Sequence, residues 1–354
     1  MFNNNLLKII LPFLLIVVFV LGIVIYGEMS NTAVQDYEIK TKAGSVTITK
    51  YTGAGGKVEV PAEIKGKKVT AIGEGAFLWC NSITEVTIPE GVTVIGDEAF
   101  AYCESLTGVV LQDNLTMIGA SAFSNCTALI TVTIPDSVTV IGEGAFATCE
   151  SMTGVTIGNG VTTISDRAFV NCMSLKNVTI PDNVITIGDY AFCDCASLAT
   201  VTIGNGVTAI GYYAFGECLR LSNVTIGKSV TTIGGSAFEE CGMLTGITIP
   251  DSVITLGELA FSGCGSLERA VLSENITTLG EETFFSCFNL RSVTMGSNVE
   301  TIGASAFAYC SLLSSVSIPE SVTSIGDSSF YQCDSLPAVV QERIRSVNQN
   351  AFLS

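Results

Sequence analysis

The chain has 354 residues, with 33 acidic and 16 basic side chains and a formal net charge of −17 at pH 7. This excess of acid argues against nucleic acid and anionic membrane surfaces as partners, because both repel a negatively charged protein. The sequence contains no histidine, which excludes Ser-His-Asp and Cys-His catalysis.

The first predicted element is an uninterrupted apolar run over residues 9–26. At ~1.5 Å rise per residue, a helix of this length spans about 27 Å, close to the thickness of a bilayer core. Lys8 precedes the run and acidic residues follow it, so the positive-inside tendency predicts a cytoplasmic amino terminus. We therefore predict a cytoplasmic stub and transmembrane signal-anchor over residues 1–29, with the rest of the chain membrane-anchored and extracellular.

A cleaved signal peptide is the alternative, and it would give a secreted protein. Such a peptide has a shorter apolar core, followed by a small-x-small cleavage site. Asn31-Thr32-Ala33 is a poor site of that kind, and no cysteine ends the run for lipid attachment. The sequence favours the retained anchor.

A linker and an amino-terminal cap are predicted over residues 30–71. Alternating segments at 37–41 and 46–50 flank Ala43-Gly44-Ser45, a pattern typical of a β-hairpin. Residues 58–72 are predicted to form a degenerate half coil. The bases concentrate in this cap, so the charge is asymmetric along the chain; its lysines are Lys40, Lys42, Lys50, Lys57, Lys65, Lys67 and Lys68.

Phenylalanine then recurs every 23 residues, and a cysteine follows each one three residues later. A fixed period in the twenties predicts a solenoid, in which each repeat is one coil stacked on the last. We place twelve coils over residues 72–336, as one elongated domain. The phenylalanines are Phe77, Phe100, Phe123, Phe146, Phe169, Phe192, Phe215, Phe238, Phe261, Phe284, Phe307 and Phe330.

Each coil is predicted to contain a short strand and a short helical or 3₁₀ turn. Alternation in Val132-Thr133-Ile134 indicates a strand with the threonine pointing out. The stretch from Asp97 to Cys103 predicts the turn, with an acid at its start. Residues 337–354 are predicted to be a capping helix that opens at Pro337 and covers the last coil.

A family resemblance follows from the repeat Gly-x-x-Ala-Phe-x-x-Cys-x-x-Leu-x-x-Val-x-Ile-Pro, as in Gly142 to Cys149 and Leu129 to Pro135. The chain resembles the BspA-like, or Treponema pallidum-type, leucine-rich repeat family over about residues 37–354. The resemblance implies a leucine-rich-repeat solenoid. It also implies a surface or secreted protein of a bacterium or parasitic protist, sometimes linked to adhesion, with no catalytic repeat position.

Acidic residues recur as two ladders, one just past the strands and one at the turn starts. A divalent cation could bridge acids on neighbouring coils, about 4.8 Å apart. Turn chemistry and capping explain the same residues without an ion, and no Asp-x-Asp cluster supplies enough oxygens to one point. We expect no metal and no cofactor.

Twelve of the 13 cysteines follow the repeat. Their side chains would point the same way, which fits disulfide torsions badly, so we predict buried free thiols rather than bridges. Cys193 lies outside this register. Equivalent positions in other repeats hold mixed side chains, which predicts that Cys193 is the one accessible thiol.

The strand face is the predicted binding surface, because outward threonines form its most regular ladder beside variable neighbours. One explanation needs no ligand, because threonine is a residue type that favours strands and is common on a solvent-exposed sheet face. A functional explanation is a flat surface that recognises an extended protein or glycan. A threonine array that binds ice is a remote alternative. The candidate residues are Glu85, Thr87, Thr133, Thr156, Asn177, Thr179, Thr202, Thr225, Thr248, Arg269 and Thr294.

These observations predict a non-enzymatic cell-surface solenoid that binds a protein or glycan, in adhesion or in host or community contact. The alternative is a structural spacer or self-associating surface-layer element without a specific ligand. A glycan-active enzyme is a more distant third, because acidic residues abound but recur as ladders whereas an active site should be singular.

Overall fold

The computed structural model describes residues 35–354. The predicted anchor over residues 9–26 lies outside these residues. Between residues 35 and 354, none of the helices has both the length and the apolar character needed to cross a bilayer. The described chain forms a solenoid of about twelve 23-residue coils, in which eleven pairs of short strands, separated by turns, follow the amino-terminal cap.

One strand of each coil joins a parallel sheet that we call the first face. Its strands are three to five residues long except for the last, and successive strands pair at a spacing of 23 residues. The sheet is interrupted twice, after Gly154–Thr156 and after Asn223–Thr225. In chain order the strands of the coils are Ile83–Thr87, Gly108–Val110, Thr131–Thr133, Gly154–Thr156, Asn177–Ile180, Thr200–Ile203, Asn223–Thr225, Gly246–Thr248, Arg269–Val271, Ser292–Thr294 and Ser315–Val316.

The other strand of each coil joins the second face, which is also parallel. These strands have two residues each, and the second of the two is buried. The strands are Val94–Ile95, Met117–Ile118, Val140–Ile141, Thr163–Ile164, Thr186–Ile187, Ala209–Ile210, Thr232–Ile233, Thr255–Leu256, Thr278–Leu279, Thr301–Ile302 and Ser324–Ile325.

Five strands form the amino-terminal cap: β1 (Tyr37–Lys42), β2 (Ser45–Tyr51), β3 (Gly56–Glu59), β4 (Glu63–Ile64) and β5 (Lys67–Ile72). The predicted hairpin is present, since β1 and β2 are antiparallel. β2 pairs with β5 and so starts the second face, whereas β3 starts the first face. The cap therefore covers the first coil with strands of both sheets, and β1 is the outermost strand.

The turn side of each coil differs from the prediction. Residues 97–103 form irregular turns rather than a helical or 3₁₀ turn, because Glu98 and Tyr102 adopt left-handed backbone angles, with φ of 52° and 58°. Their N–H groups donate to Ala120 O and Ser124 O of the next coil, at 2.8 Å each. A helix would direct these groups along its own axis. The left-handed residues direct them along the solenoid, which creates a third inter-coil ladder.

A continuous column of aromatic rings fills the core. All twelve repeat phenylalanines are 0% exposed. From Phe100 to Phe307, neighbouring ring centroids lie 5.1–5.6 Å apart and the ring planes are within 9° of parallel. Tyr51 and Phe352 extend the column into the two caps. The 23-residue period therefore places each ring directly on its neighbour.

The repeat cysteines lie beside this column as free thiols, as predicted. Each thiol from Cys103 onward donates to the main-chain carbonyl of the phenylalanine 26 residues earlier. In the middle of the solenoid, Cys218 Sγ lies 3.3 Å from Phe192 O. The cysteine thus fills a small apolar space and also supplies a weak donor to the previous coil.

The carboxyl-terminal cap is a helix, α1 (Ala338–Val347), followed by a 3₁₀ turn over Gln349–Phe352. The helix is shorter than the predicted segment. Ile344 is fully buried against the last coil, and the Asn348 side chain donates to Ile325 O at 2.8 Å. The cap therefore covers the last apolar surface and also satisfies a main-chain carbonyl that a further coil would have paired.

Candidate binding face

The first face presents two columns of outward side chains, because strand pairing keeps equivalent residues in register. One column is variable and one is rich in threonine. The variable column contains Lys57, Glu85, Gly108, Thr131, Gly154, Asn177, Thr200, Asn223, Gly246, Arg269, Ser292 and Ser315. The threonine column contains Glu59, Thr87, Val110, Thr133, Thr156, Thr179, Thr202, Thr225, Thr248, Val271 and Thr294.

All eleven predicted surface residues are exposed on this face. The structure does not bring them together at one point, because Glu85 and Arg269 are eight coils apart. At ~4.8 Å per coil they are separated by about 38 Å, with Asn177 midway. The predicted residues therefore describe a face, and a site must be a smaller part of it.

The three predicted residues of the variable column differ in their local contacts. Glu85 forms an ion pair with Lys57 of the cap at 2.9 Å. Asn177 Oδ1 accepts a hydrogen bond from Thr200 Oγ1 at 2.6 Å. Arg269 forms no ion pair with any residue in the described range 35–354. Of the three, Arg269 is the charged side chain without an ion-pair partner among the described residues.

Arg269 lines a cavity of about 650 Å³ on the first face. Gly246 explains this cavity, because it leaves the variable column without a side chain between Asn223 and Arg269. The sheet is also interrupted there, between Asn223–Thr225 and Gly246–Thr248. The cavity therefore coincides with a break in the strand pairing of this face.

A second cavity, of about 390 Å³, extends the first toward the amino terminus. The two cavities share Thr225, Ile226 and Lys228. We call the combined depression, which runs from Thr179 to Val271, the first-face groove. Its size is in the range typical of binding sites for small molecules or short polymer segments.

Lys228 is not among the predicted residues, and it occupies a position that is acidic in most coils. At that position Asp136 Oδ1 accepts from Asn159 N at 2.7 Å, and Asp251 Oδ1 accepts from Glu274 N at 3.1 Å. A lysine has no acceptor and cannot make this contact. Comparing the residues at this position in all coils would have identified Lys228, because it is the one cation in a mostly acidic column.

Aspartates of the second acidic ladder make the same kind of contact. At the turn starts, Asp97 Oδ1 accepts from Ala120 N and Asp166 Oδ1 accepts from Asp189 N, each at 2.8 Å. Each such carboxylate therefore holds a main-chain N–H of the following coil. Across residues 35–354, no group of three or more His, Cys, Asp or Glu side chains is arranged to hold a metal ion.

The prediction that Cys193 is exposed is wrong. Its side chain is 5% exposed, and Sγ lies 3.6 Å from Asp194 Oδ2. Burial, reinforced by the Asp194 carboxylate, raises the pKa of Cys193 to about 12. The residue lies between two left-handed positions, Tyr190 and Asp194, where small side chains are covered by their surroundings. Cys80, in the first coil, is instead the least buried thiol.

Exposed aromatic residues lie on the turn side and not in the first-face groove. Trp79 is 57% exposed and stacks on Tyr102 with ring centroids 3.9 Å apart. Tyr190, Tyr212 and Tyr213 form a second cluster, with centroids 5.4–5.9 Å apart. The groove is lined by hydroxyl, amide, aliphatic, acidic and cationic groups, with no aromatic side chain among its described lining residues.

Comparison with known proteins agrees with this geometry. The family model described as BspA type leucine rich repeat region (6 copies) matches residues 70–198, 185–313 and 233–354. A leucine-rich repeat protein from Bacteroides ovatus is 26% identical, with a TM-score of 0.64, over 89% of this chain and 96% of that one.

A leucine rich cell surface protein from Faecalibacterium prausnitzii is 29% identical, with a TM-score of 0.49, over 90% of this chain and 97% of that one. None of the curated proteins matches. Because the family model matches most of the sequence, from residue 70 to residue 354, the chain belongs to the BspA-type leucine-rich repeat family.

Proposed function

We propose that this protein is a non-enzymatic cell-surface receptor or adhesin that binds a protein or glycan along its first face. The first-face groove is the proposed contact region. One observation carries the proposal: the missing side chain at Gly246, the interrupted sheet and the unpaired Arg269 coincide at a cavity of about 650 Å³ on this face. Glycines and a sheet interruption also occur elsewhere on this face, but within the described residues only here do they coincide with an unpaired arginine.

The groove chemistry supports a polar ligand. Thr225 and Thr248 provide hydroxyl groups, Asn223 provides an amide, and Lys228 and Arg269 provide cationic donors. Protein interfaces usually depend on buried aromatic anchors, and the groove lining contains none. A glycan or a polar extended peptide therefore fits this region better than an apolar helix.

The proposal also includes anchorage of the chain in a membrane by its amino-terminal segment. A chain retained in the membrane by residues 9–26 would present the solenoid outside the cell. Mass spectrometry of the protein from cell membranes should find the 9–26 segment intact. A mature amino terminus near Thr32 or Ala33 would instead make the protein secreted.

Ligand screening against glycans and extracellular matrix proteins tests the binding function. For a ligand found in this way, Arg269→Ala and Lys228→Ala should each weaken binding about tenfold, as loss of a charged hydrogen bond does. Arg220→Ala is the matched control, because Arg220 is exposed but does not line the groove. Equal effects of all three variants would place the contact elsewhere.

A further inference from the structure

The net charge of the chain is an average over two regions of opposite sign. The cap, residues 36–72, contains seven lysines and four acids, a net charge of +3. Residues 73–354 contain eight basic and 28 acidic residues, a net charge of −20. Repulsion from an anionic surface, expected from the whole chain, therefore applies to the coils and not to the cap.

Five of the seven cap lysines are exposed and form no ion pair with the residues that the structure describes. Lys50 and Lys57 are the other two, and they pair with Glu38 and Glu85. The five are Lys40, Lys42, Lys65, Lys67 and Lys68. Their charges are therefore available to an external anion.

These five lysines lie at the amino-terminal end of the solenoid. Lys40 and Lys42 are on β1, the outermost strand of the second face. Lys65, Lys67 and Lys68 are on the short β4–β5 hairpin of the cap. The cationic groups thus share the end of the molecule that the preceding chain enters.

The sequence places that end close to the predicted membrane segment. Ten residues, 27–36, separate the apolar run from β1. Even fully extended, they reach roughly 35 Å. Tethering at this distance holds the cap at a high effective concentration next to the bilayer.

We infer that the lysine-bearing end of the cap docks on the anionic headgroups of the bilayer in which the chain is anchored. This inference rests on the proposed anchorage. Each lysine held near an anionic surface favours association by roughly fivefold, whereas the acidic coils are repelled. The two effects together direct the long axis of the solenoid away from the membrane and present the first-face groove to the exterior.

The test uses the full chain reconstituted into nanodiscs of zwitterionic lipid or of zwitterionic lipid with a third anionic lipid. Lysine acylation rates are read by mass spectrometry of the peptides. We expect the five cap lysines to react about fivefold more slowly with anionic lipid, and we expect high salt to abolish the difference. Lys176 and Lys228, on the coils, are internal controls and should react equally in both lipids.

Equal reactivity of the cap lysines in both lipids, with the chain still held in the nanodiscs, would overturn the inference. Loss of the chain from the nanodiscs would instead overturn the anchorage. Soluble polyphosphate tests whether the cap lysines bind an anion other than lipid headgroups. If it protected the five lysines whereas anionic lipid did not, the cap would be a site for phosphate polymers and the bilayer assignment would be wrong.

Discussion

Replacing Phe215 with leucine tests whether stacking, beyond simple burial, holds the coils together. Phe215 is 0% exposed and its ring lies 5.3 Å from that of Phe192 and 5.4 Å from that of Phe238. Leucine keeps most of the apolar contact but loses two stacked pairs. At ~0.5–1.5 kcal/mol per pair, the local opening free energy should fall by about 1–3 kcal/mol.

Hydrogen exchange of the intact chain measures this loss coil by coil, because a solenoid is stabilised mainly by nearest-neighbour contacts. Amides near position 215 should exchange roughly 5- to 150-fold faster, with little change at the two ends. Phe288→Leu is the matched control, since Phe288 is 53% exposed and should change exchange little. Equal effects of the two substitutions would refute the stacking argument.

Three further predictions concern the thiols and the turns. Alkylation of the native chain without reductant should label Cys80 first and Cys193 slowly, and denaturation should release all 13 thiols; release that required a reductant would indicate disulfides. Burial raises the pKa of Cys103 to about 12, from an ordinary value of 9.0, so folding favours the protonated thiol. This contribution to stability is present below pH 9 and is lost as pH rises toward 12, which unfolding measured against pH would show. Leu259 has a φ of 55°, so Leu259→Gly should raise the free energy of unfolding by about 1 kcal/mol, whereas Leu219→Gly, outside the left-handed positions, should not.

The spacing of one residue type predicted most of the solenoid. A ring every 23 residues can form a continuous column only if each repeat is one coil, so Phe77 to Phe330 defined the stack and the coil count. Alternation around Val132 placed the first-face strand, and alternation around Ala43-Gly44-Ser45 placed the cap hairpin. These features depend on local patterns, which a sequence displays directly.

The turn side could not be predicted in the same way. Glu98, Leu259 and Tyr213 are ordinary residues that adopt left-handed angles, and residue type usually indicates such angles only for glycine or asparagine. The inter-coil hydrogen bonds impose the conformation. The burial of Cys193 follows from the same turns, so the variety of residues at its position did not indicate exposure.

The first-face groove was predicted only in part. Arg269 was visible as an exception in the variable column. Gly246 and Lys228 were not singled out, because a glycine in a strand and a cation beside a turn are unremarkable alone. The two residues become informative only because they line the same cavity, and the pairing of strands across coils brings them there.

Binding by a groove-filled variant tests the proposed site most directly. Gly246→Asn restores the kind of side chain present at Asn177 and Asn223, and a new Cβ there meets its nearest atom at 3.7 Å, which is ordinary contact. Gly108→Asn makes the same change in the same column, within an uninterrupted part of the sheet. With the ligand identified by screening, measured by surface plasmon resonance, the proposal predicts at least a tenfold weaker Kd for Gly246→Asn, on the order of 1.4 kcal/mol, and an unchanged Kd for Gly108→Asn. Unchanged binding by Gly246→Asn would contradict the assignment of function to the first-face groove.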